Sequence, residues 1–234
     1  MPEASVDILK LASVTLTREK QDIMTQELRR YFEATNFALK TIVKNHLTSR
    51  KRASELLLDD IVSKFVFVTQ SGESRQALDF GRRFNFAIVT KFARTTTEAK
   101  EEAGNLKMNP EEMREEFATR FATQYVDDLI RTAFAEVARY RKLANIIVSM
   151  REKPPYFKYG TMIVSGMFVD IDDRGISLLT AQGNELSIPF DKRSRNKDAD
   201  VLQQIVDNKQ KYTRVRLKWN LEGFLNIDVR LLKS

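Results

Sequence analysis

The chain has 234 residues, is 42% hydrophobic and carries a net charge of +7, with no cysteine and a single histidine. This length and apolar content allow a buried core. The lack of cysteine excludes disulfides, thiol catalysis and cysteine-ligated metal sites. No apolar run approaches the roughly 18 residues of a membrane span, and the first residues lack a secretion signal. We therefore expect a cytoplasmic protein that does not associate with membranes, and the positive charge favours polyanionic partners.

The first two thirds of the chain predict one strand followed by helices. Residues 8–16 have strand composition, and Thr17 stands at a helix N-cap position. Helical periodicity then predicts helices over 18–47, 53–68 and 73–94. Residues 95–108 are poor in apolar side chains and predict a loop. Asn109 and Pro110 are typical of a helix start, and the following periodicity continues to about residue 150, with or without a break.

After Pro154 and Pro155 the pattern changes to strands. Residues 158–170, 175–180 and 185–190 are rich in β-forming side chains and are separated by turn sequences. A basic loop over 192–197 and a short helix over 200–208 follow. Residues 212–219 and 224–231 then predict a hairpin that turns at 221–223.

An isolated first strand would leave its backbone groups unpaired, so it is expected to join the C-terminal sheet. The helical region then becomes an insertion between the first and second strands of a small β-barrel or curled sheet. The sequence thus predicts an α+β fold with a first barrel strand in residues 1–17, a helical lobe in 18–153 and the rest of the barrel in 154–234.

Three stretches carry a family resemblance: ILKLASVTLTREKQ at the front, PPYFKYGTMIVSG in the middle and RVRLKWNLEGFLNIDV at the back. In this order they resemble the N-terminal half of TnpB RNA-guided nucleases and compact type V CRISPR effectors. The resemblance implies a wedge barrel of oligonucleotide-binding type that holds a guide-RNA scaffold. It also implies a helical recognition lobe along the guide–target heteroduplex.

The catalytic part of that family has no counterpart in this sequence. Its RuvC-type nuclease domain uses three acidic residues to bind two metal ions, near a cysteine-rich zinc element. Asp228 lacks the glycine that follows the nuclease aspartate, so we interpret it as an ordinary residue of the last strand. The resemblance therefore implies guide-RNA binding without cleavage.

Two predicted helices place basic side chains opposite their apolar arcs. On the first helix the polar stripe comprises Arg29, Asn36, Lys40 and Lys44, with Phe37 beside it. This stripe suits phosphate contacts and base stacking, and a solvated face with Phe37 packed on another helix is the equal alternative. On the third helix, aromatic and basic side chains share the polar side, which favours nucleic-acid contact over a solvated face: Arg75, Arg82, Arg83, Phe86 and Arg94.

The barrel part offers a second basic surface. Alternation in the penultimate strand puts Arg214, Arg216 and Lys218 on one sheet face, which is the usual binding surface of an oligonucleotide-binding barrel. The alternative is a solvated face whose charges serve solubility. The basic loop adds four candidates: Lys192, Arg193, Arg195 and Lys197.

The remaining polar candidates predict no cofactor or metal. His46 projects onto the apolar arc of the first helix and is interpreted as a core or cap histidine. Neighbouring aspartates such as Asp127 and Asp128 point about 100° apart on a helix, and Asp172 lies in a turn sequence. No glycine-rich phosphate loop is present.

These observations favour a nucleic-acid-binding protein that is not an enzyme. Its expected partners are a structured guide RNA, target DNA and a nuclease subunit supplied separately. Two alternatives remain open at this point. The same helices suit a protein-interaction module, and the charge also suits a repressor that binds duplex DNA.

Overall fold

Three long helices form one side of the molecule in this computed structural model, which describes residues 7–65, 110–148, 153–181 and 185–232. Within residues 110–120 only the backbone is described. The predicted third helix over 73–94 and the loop over 95–108 lie outside these ranges. Helices α1 (Arg18–Lys44), α2 (Arg50–Phe65) and α3 (Pro110–Ile146) pack against one another and are called the helical unit below.

Helix α1 confirms the predicted apolar arc, since Met24, Leu28 and Tyr31 are completely buried. It ends at Lys44, three residues before the predicted end. Asn45 is the C-cap, and His46 follows with a φ of 50°. His46 is exposed, so the core interpretation is wrong and the cap interpretation agrees with the structure. It occupies the left-handed position that commonly terminates a helix, and its N–H bonds the carbonyl of Val43 at 3.2 Å.

Helix α2 is longer at its N-terminal end than periodicity indicates, and α3 begins where its start signal predicts. The tripeptide Arg50-Lys51-Arg52, which precedes the predicted helix over 53–68, is the first turn of α2. Helix α3 begins at Pro110, as its start signal predicts, and continues without a break. Ala53, Leu57 and Ile61 of α2 are buried in the shared core, which α3 extends.

Two antiparallel sheets form the other side. The first has the strand order β1 (Ile8–Ala12), β7 (Leu225–Leu231), β6 (Tyr212–Trp219) and β2 (Thr161–Ser165). The second has the order β3 (Val169–Ile171), β4 (Gly175–Leu179) and β5 (Glu185–Pro189). The pairing of β1 with β7 confirms that the first strand joins the C-terminal sheet.

The two sheets are not one closed barrel. The strand predicted over 158–170 is instead two strands, β2 and β3, separated by a 3₁₀ turn at Gly166–Phe168. This turn lets the chain leave the first sheet and enter the second. At the opposite side an isolated bridge joins Ser13 to Phe190. The fold is therefore mixed α+β with two linked antiparallel sheets.

Two short helices follow β5. Helix α4 (Lys192–Lys197) replaces the predicted basic loop, because Asp191 caps it by accepting a hydrogen bond from the Ser194 N–H at 2.8 Å. Helix α5 (Ala199–Val206) agrees with the predicted short helix and buries Leu202 and Ile205. The hairpin of β6 and β7 is also as predicted, with Gly223 at a φ of 83° in its turn.

Tyr31 joins the helices to the first sheet. Its ring is completely buried, and its hydroxyl donates to the carbonyl oxygen of Ile163 on β2 at 2.9 Å. The same hydroxyl shares a 2.8 Å hydrogen bond with Thr132 of α3. One side chain thus holds α1, α3 and β2 together and fixes which part of the sheet the helices cover.

Candidate nucleic-acid interface

The four-stranded sheet has one buried face and one face on which basic side chains collect. The inward residues of β6 and β7, such as Val215, Leu217 and Ile227, are fully buried. Strand registers place the outward residues of neighbouring strands side by side. We call the outward positions of β1, β7 and β6 the outer sheet face: Lys10, Asn226, Asp228, Arg230, Arg214, Arg216 and Lys218.

The charge of this outer sheet face is strongly unbalanced. Among the residues of the outer sheet face, Asp228 carries the negative charge, and its Oδ2 lies 3.8 Å from the guanidinium of Arg216. The side chains are about half and a third exposed, so this ion pair is weak and leaves donors of Arg216 available. Lys10 and Lys218 are exposed and form no ion pair within the described ranges. The surface therefore has a net positive potential.

The sequence prediction for β6 agrees with this geometry and underestimates its extent. Arg214, Arg216 and Lys218 share one face, as alternation predicts. Lys10 and Arg230, which the sequence reasoning did not select, lie on the same face. The sequence contains a signal for Lys10, because it alternates with the buried Leu9 and Leu11. Its place on this sheet face depends on the register between β1 and β7, which the sequence does not show.

The stripe predicted on α1 is not one continuous surface. Arg29, Lys40 and Lys44 are exposed, as expected. Asn36 is buried, which contradicts its place in an exposed stripe. Its amide donates to the carbonyl of Phe157 at 3.1 Å and accepts from the N–H of the same residue at 3.0 Å. Asn36 therefore anchors the segment that leads into β2.

Phe37 is engaged in packing between helices. Its ring centroid lies 5.9 Å from that of Phe65 at the end of α2. The ammonium of Lys64 lies 4.4 Å from the Phe37 ring centroid, which is a cation–π contact. This placement is the packing alternative, since the partners on α2 occupy the ring surface that a base would need.

Helix α4 brings its basic residues beside the end of β1. The hydroxyl of Ser194 accepts a hydrogen bond from the Ala12 N–H at 3.0 Å, and the Asp191 N–H donates to the Ala12 carbonyl at 2.9 Å. Lys192, Arg193 and Lys197 are exposed, and Arg195 is partly buried. These four candidates adjoin the outer sheet face at its β1 edge.

The candidates on the predicted third helix lie outside the described residues: Arg75, Arg82, Arg83, Phe86 and Arg94. Their contact with nucleic acid stays a prediction.

An exposed aromatic cluster was missed by the sequence reasoning. Tyr156 and Tyr159 are 57% and 46% exposed and contact Phe32 of α1 edge-on, with centroids 5.6 and 5.9 Å from its ring. Exposed Arg29 precedes Phe32 by one helical turn, and exposed Lys158 lies between the tyrosines in sequence. The alternation of aromatic and basic residues after the two prolines was the available signal. Exposed rings beside cations suit base stacking.

Buried acidic residues serve the architecture. Glu27 is completely buried, accepts from the Ala181 N–H at 2.9 Å and pairs with Arg30 at 2.8 Å. Burial raises the pKa of Glu27, and the Arg30 charge opposes that shift. Asp127 and Asp128 diverge as predicted, because Asp127 accepts from the hydroxyl of Ser54 on α2 and Asp128 faces the sheet.

Neither a protein-family model nor a curated protein matches the chain. Within the described ranges no helix is long and apolar enough to cross a membrane. In that same part of the chain, no three acidic or histidine side chains are grouped so that they would hold a metal ion.

Proposed function

We propose that the protein binds a structured guide RNA on its outer sheet face, as the non-cleaving subunit of a TnpB-like RNA-guided DNA-targeting system. The observation that carries this proposal is the alignment on one sheet face of Lys10 from β1 with Arg216 and Lys218 from β6, with Asp228 of β7 between them as the opposing charge. A polyanion gains contacts from both strands at once, and release of its counterions supplies affinity.

The surroundings of the outer sheet face support RNA over a simple anion. Tyr156, Tyr159 and Phe32 supply aromatic surface beside the start of β2, next to the sheet. Single-stranded and looped RNA exposes bases that stack on such rings while its phosphates contact basic residues. A basic face with adjacent aromatic rings matches both parts of an unpaired nucleotide.

The arrangement of the sheets supports a finer proposal, an open barrel of oligonucleotide-binding type. The 3₁₀ turn at Gly166–Phe168 connects β2 to β3, and the Ser13–Phe190 bridge connects the β1 and β5 ends of the two sheets. Val14 adds a hydrogen bond from its N–H to the Pro189 carbonyl at 3.0 Å. The strands thus follow one another around a shared core, and barrels of this class bind nucleic acid on an outer strand face.

The helical unit is assigned the target DNA in this proposal. Exposed Arg29, Lys40 and Lys44 remain on α1 after Asn36 and Phe37 are assigned to packing. Base pairing by the guide supplies sequence choice, and the protein supplies backbone contacts.

The test measures RNA affinity of the purified protein as a function of salt. A structured RNA, ideally one that co-purifies with the protein, is titrated at several salt concentrations. We expect the logarithm of the binding constant to fall by several units per logarithm of salt, since each neutralised single-strand phosphate contributes about 0.7. The variant Arg216→Ala/Lys218→Ala is expected to bind about tenfold more weakly. Arg141→Ala/Lys142→Ala removes the same charge from the exposed end of α3 and is the matched control.

Other results would identify the alternatives. Salt-insensitive association with a protein, without bound nucleic acid, would overturn the proposal in favour of an interaction module. Footprints on duplex DNA without RNA would favour a repressor. Metal-dependent and guide-dependent cutting by the purified chain would contradict its non-cleaving role.

A further inference from the structure

Arg214 lies at the β2 side of the outer sheet face, where α3 contacts the sheet through Asp128 and Ser165. Its register partners are Ser165 on β2 and Arg230 on β7. Unlike the exposed Arg216, it is partly buried. Burial lowers the pKa of Arg214, the charges of Arg131 and Arg230 act in the same direction, and the charge of Asp128 opposes them. A cation is thus held in a site that does not favour its charge.

The nearby carboxylate is already committed to other donors. Asp128 Oδ2 accepts the N–H of Ser165 at 2.6 Å, and Oδ1 accepts from the Gln124 side chain at 3.4 Å. Arg131 lies one turn beyond Asp128 on α3. Within the described ranges, the guanidiniums of Arg131 and Arg214 form no ion pair and donate no hydrogen bond. Arg131 is exposed, and its charge acts on the partly buried Arg214, so a bound anion would relieve the repulsion between the two.

Arg131 also belongs to a groove between α2 and α3 with a volume of about 410 Å³. Arg50 and Lys51 from the first turn of α2 line the same groove. The first turn of α2 contains no acidic residue, so Arg50, Lys51 and Arg52 all lie at the positive end of the helix dipole. Two carboxylates also line the groove: Asp127 accepts from Ser54, and exposed Glu55 lies 4.0 Å from Lys51 in a weak contact, so the cations of the groove outnumber its carboxylates by one.

We propose that Arg131 and Arg214 together hold one phosphate group of a nucleic-acid strand, so that a backbone bound on the outer sheet face continues across α3 into the groove between α2 and α3. This inference rests on the proposed function and adds a path for the strand. Guanidinium forks bind phosphate oxygens bidentately, and two forks on neighbouring elements suit a single phosphate. Arg131 lies one turn from Asp128, which contacts the register partner of Arg214, and it also lines the groove.

The experiment compares Arg131→Ala with Arg141→Ala, which removes an exposed arginine farther along the same helix. Affinity is measured for single-stranded RNAs of about 4 to about 16 nucleotides, the range of site sizes of oligonucleotide-binding folds. We expect wild-type affinity to increase with length and Arg131→Ala to lose about tenfold on the longest RNA while matching wild type on the shortest. Arg131→Lys keeps the charge without the fork and is expected to recover only part of the loss. Urea unfolding midpoints confirm that the variants are folded.

The outcomes separate this inference from the proposed function. If wild type binds none of the RNAs, the proposed function fails and the strand path fails with it. If Arg216→Ala/Lys218→Ala weakens binding at every length but Arg131→Ala equals Arg141→Ala throughout, the strand path alone is overturned. Inorganic phosphate is titrated in parallel, and phosphate binding that requires Arg131 without any change in RNA length dependence assigns the site to the free ion. Displacement of the long RNA by polyglutamate at equal charge would overturn the assignment to nucleic acid.

Discussion

The basic stripe of α1 and the basic stripe of β6 have the same appearance in the sequence and different fates in the structure. On β6, Arg216 and Lys218 remain exposed and share their sheet face with Lys10 of β1, which lies on the far side of β7. On α1, Asn36 is buried, and Phe37 is occupied by Lys64 and Phe65. A strand face is shared with its paired neighbours, whereas each side of a helix is available to another element. Periodicity alone therefore identifies a surface more securely on a hairpin than on a helix within a bundle.

The largest expected effect on RNA affinity comes from removing three cations from the outer sheet face, compared with removing cations from α1. Lys10→Ala/Arg216→Ala/Lys218→Ala is expected to weaken RNA binding about 30-fold, or roughly 2 kcal/mol, and to reduce the salt slope by about 2 units. Lys40→Ala/Lys44→Ala removes two cations from α1 away from the aromatic cluster, and we expect it to change RNA affinity less than about threefold, whereas Arg216→Ala/Lys218→Ala, with the same charge change, loses about tenfold. Filter binding at several salt concentrations measures all three variants. Equal losses for the two double variants would contradict the distinction between the stripes.

A stability measurement tests the assignment of Asn36 to the architecture. Asn36→Ala leaves the N–H and carbonyl of buried Phe157 without their partner, so we expect the free energy of unfolding to fall by about 2 kcal/mol. Lys40→Ala, one helical turn away and exposed, is expected to change it by less than about 0.5 kcal/mol. Urea denaturation followed by circular dichroism compares them. A stable Asn36→Ala protein with impaired RNA binding would restore the residue to the binding stripe.

The carboxylate of the outer sheet face provides a smaller test. Asp228→Asn removes a negative charge and the weak contact with Arg216, so RNA affinity is expected to rise about threefold, which is less than about 1 kcal/mol. Asp60→Asn on α2 makes the same charge change beside Lys64 and serves as the control. The gain should disappear at high salt, because exposed charges are then screened. Equal gains from both variants would indicate a general charge effect.

The smallest effect is a pH dependence at the junction of α3 and β2. Burial raises the pKa of Asp128, with the Ser165 N–H and the Arg214 charge opposing the shift. The folded protein therefore retains a proton that the unfolded chain has lost, so this group lowers stability as pH rises from about 3.9 through its folded pKa. Asp128→Asn keeps an acceptor for Ser165 and should flatten that decline. Urea unfolding between about pH 4 and pH 7 measures it, and parallel curves for the two proteins would contradict it.

Local signals account for the parts of the fold that could be predicted. The start of α3 at Pro110, the β6–β7 hairpin and the participation of β1 in the C-terminal sheet all follow from caps, alternation and unpaired backbone groups. Helix α4 was missed although its signal is local, since Asp191 stands three residues before Ser194 in a capping arrangement. The Asp128–Ser165 contact had no such signal, because it depends on how a helix is placed over a strand 37 residues away.

The candidate site shows the same limit. The period of two in β6 predicts that Arg214, Arg216 and Lys218 share one face. It does not predict that Arg214 is less exposed than the other two. Arg214 is partly buried because its register partner, Ser165, lies under α3, and that contact is tertiary. The 3₁₀ turn at Gly166–Phe168 was likewise invisible to strand propensity, since the residues on both sides are good β-formers.

The pairing of β1 with β7 also determines when the fold can be completed. The Leu225 N–H donates to the Ser13 hydroxyl across 212 positions of sequence. During synthesis β1 emerges long before the β6–β7 hairpin and has no neighbour in the sheet until that hairpin is made. Helices α1 and α2 are connected by a short segment and can associate early, whereas closure over so long a loop is slow. The apolar Leu9 and Leu11 therefore stay uncovered until the hairpin forms, which makes β1 a segment that needs protection from aggregation.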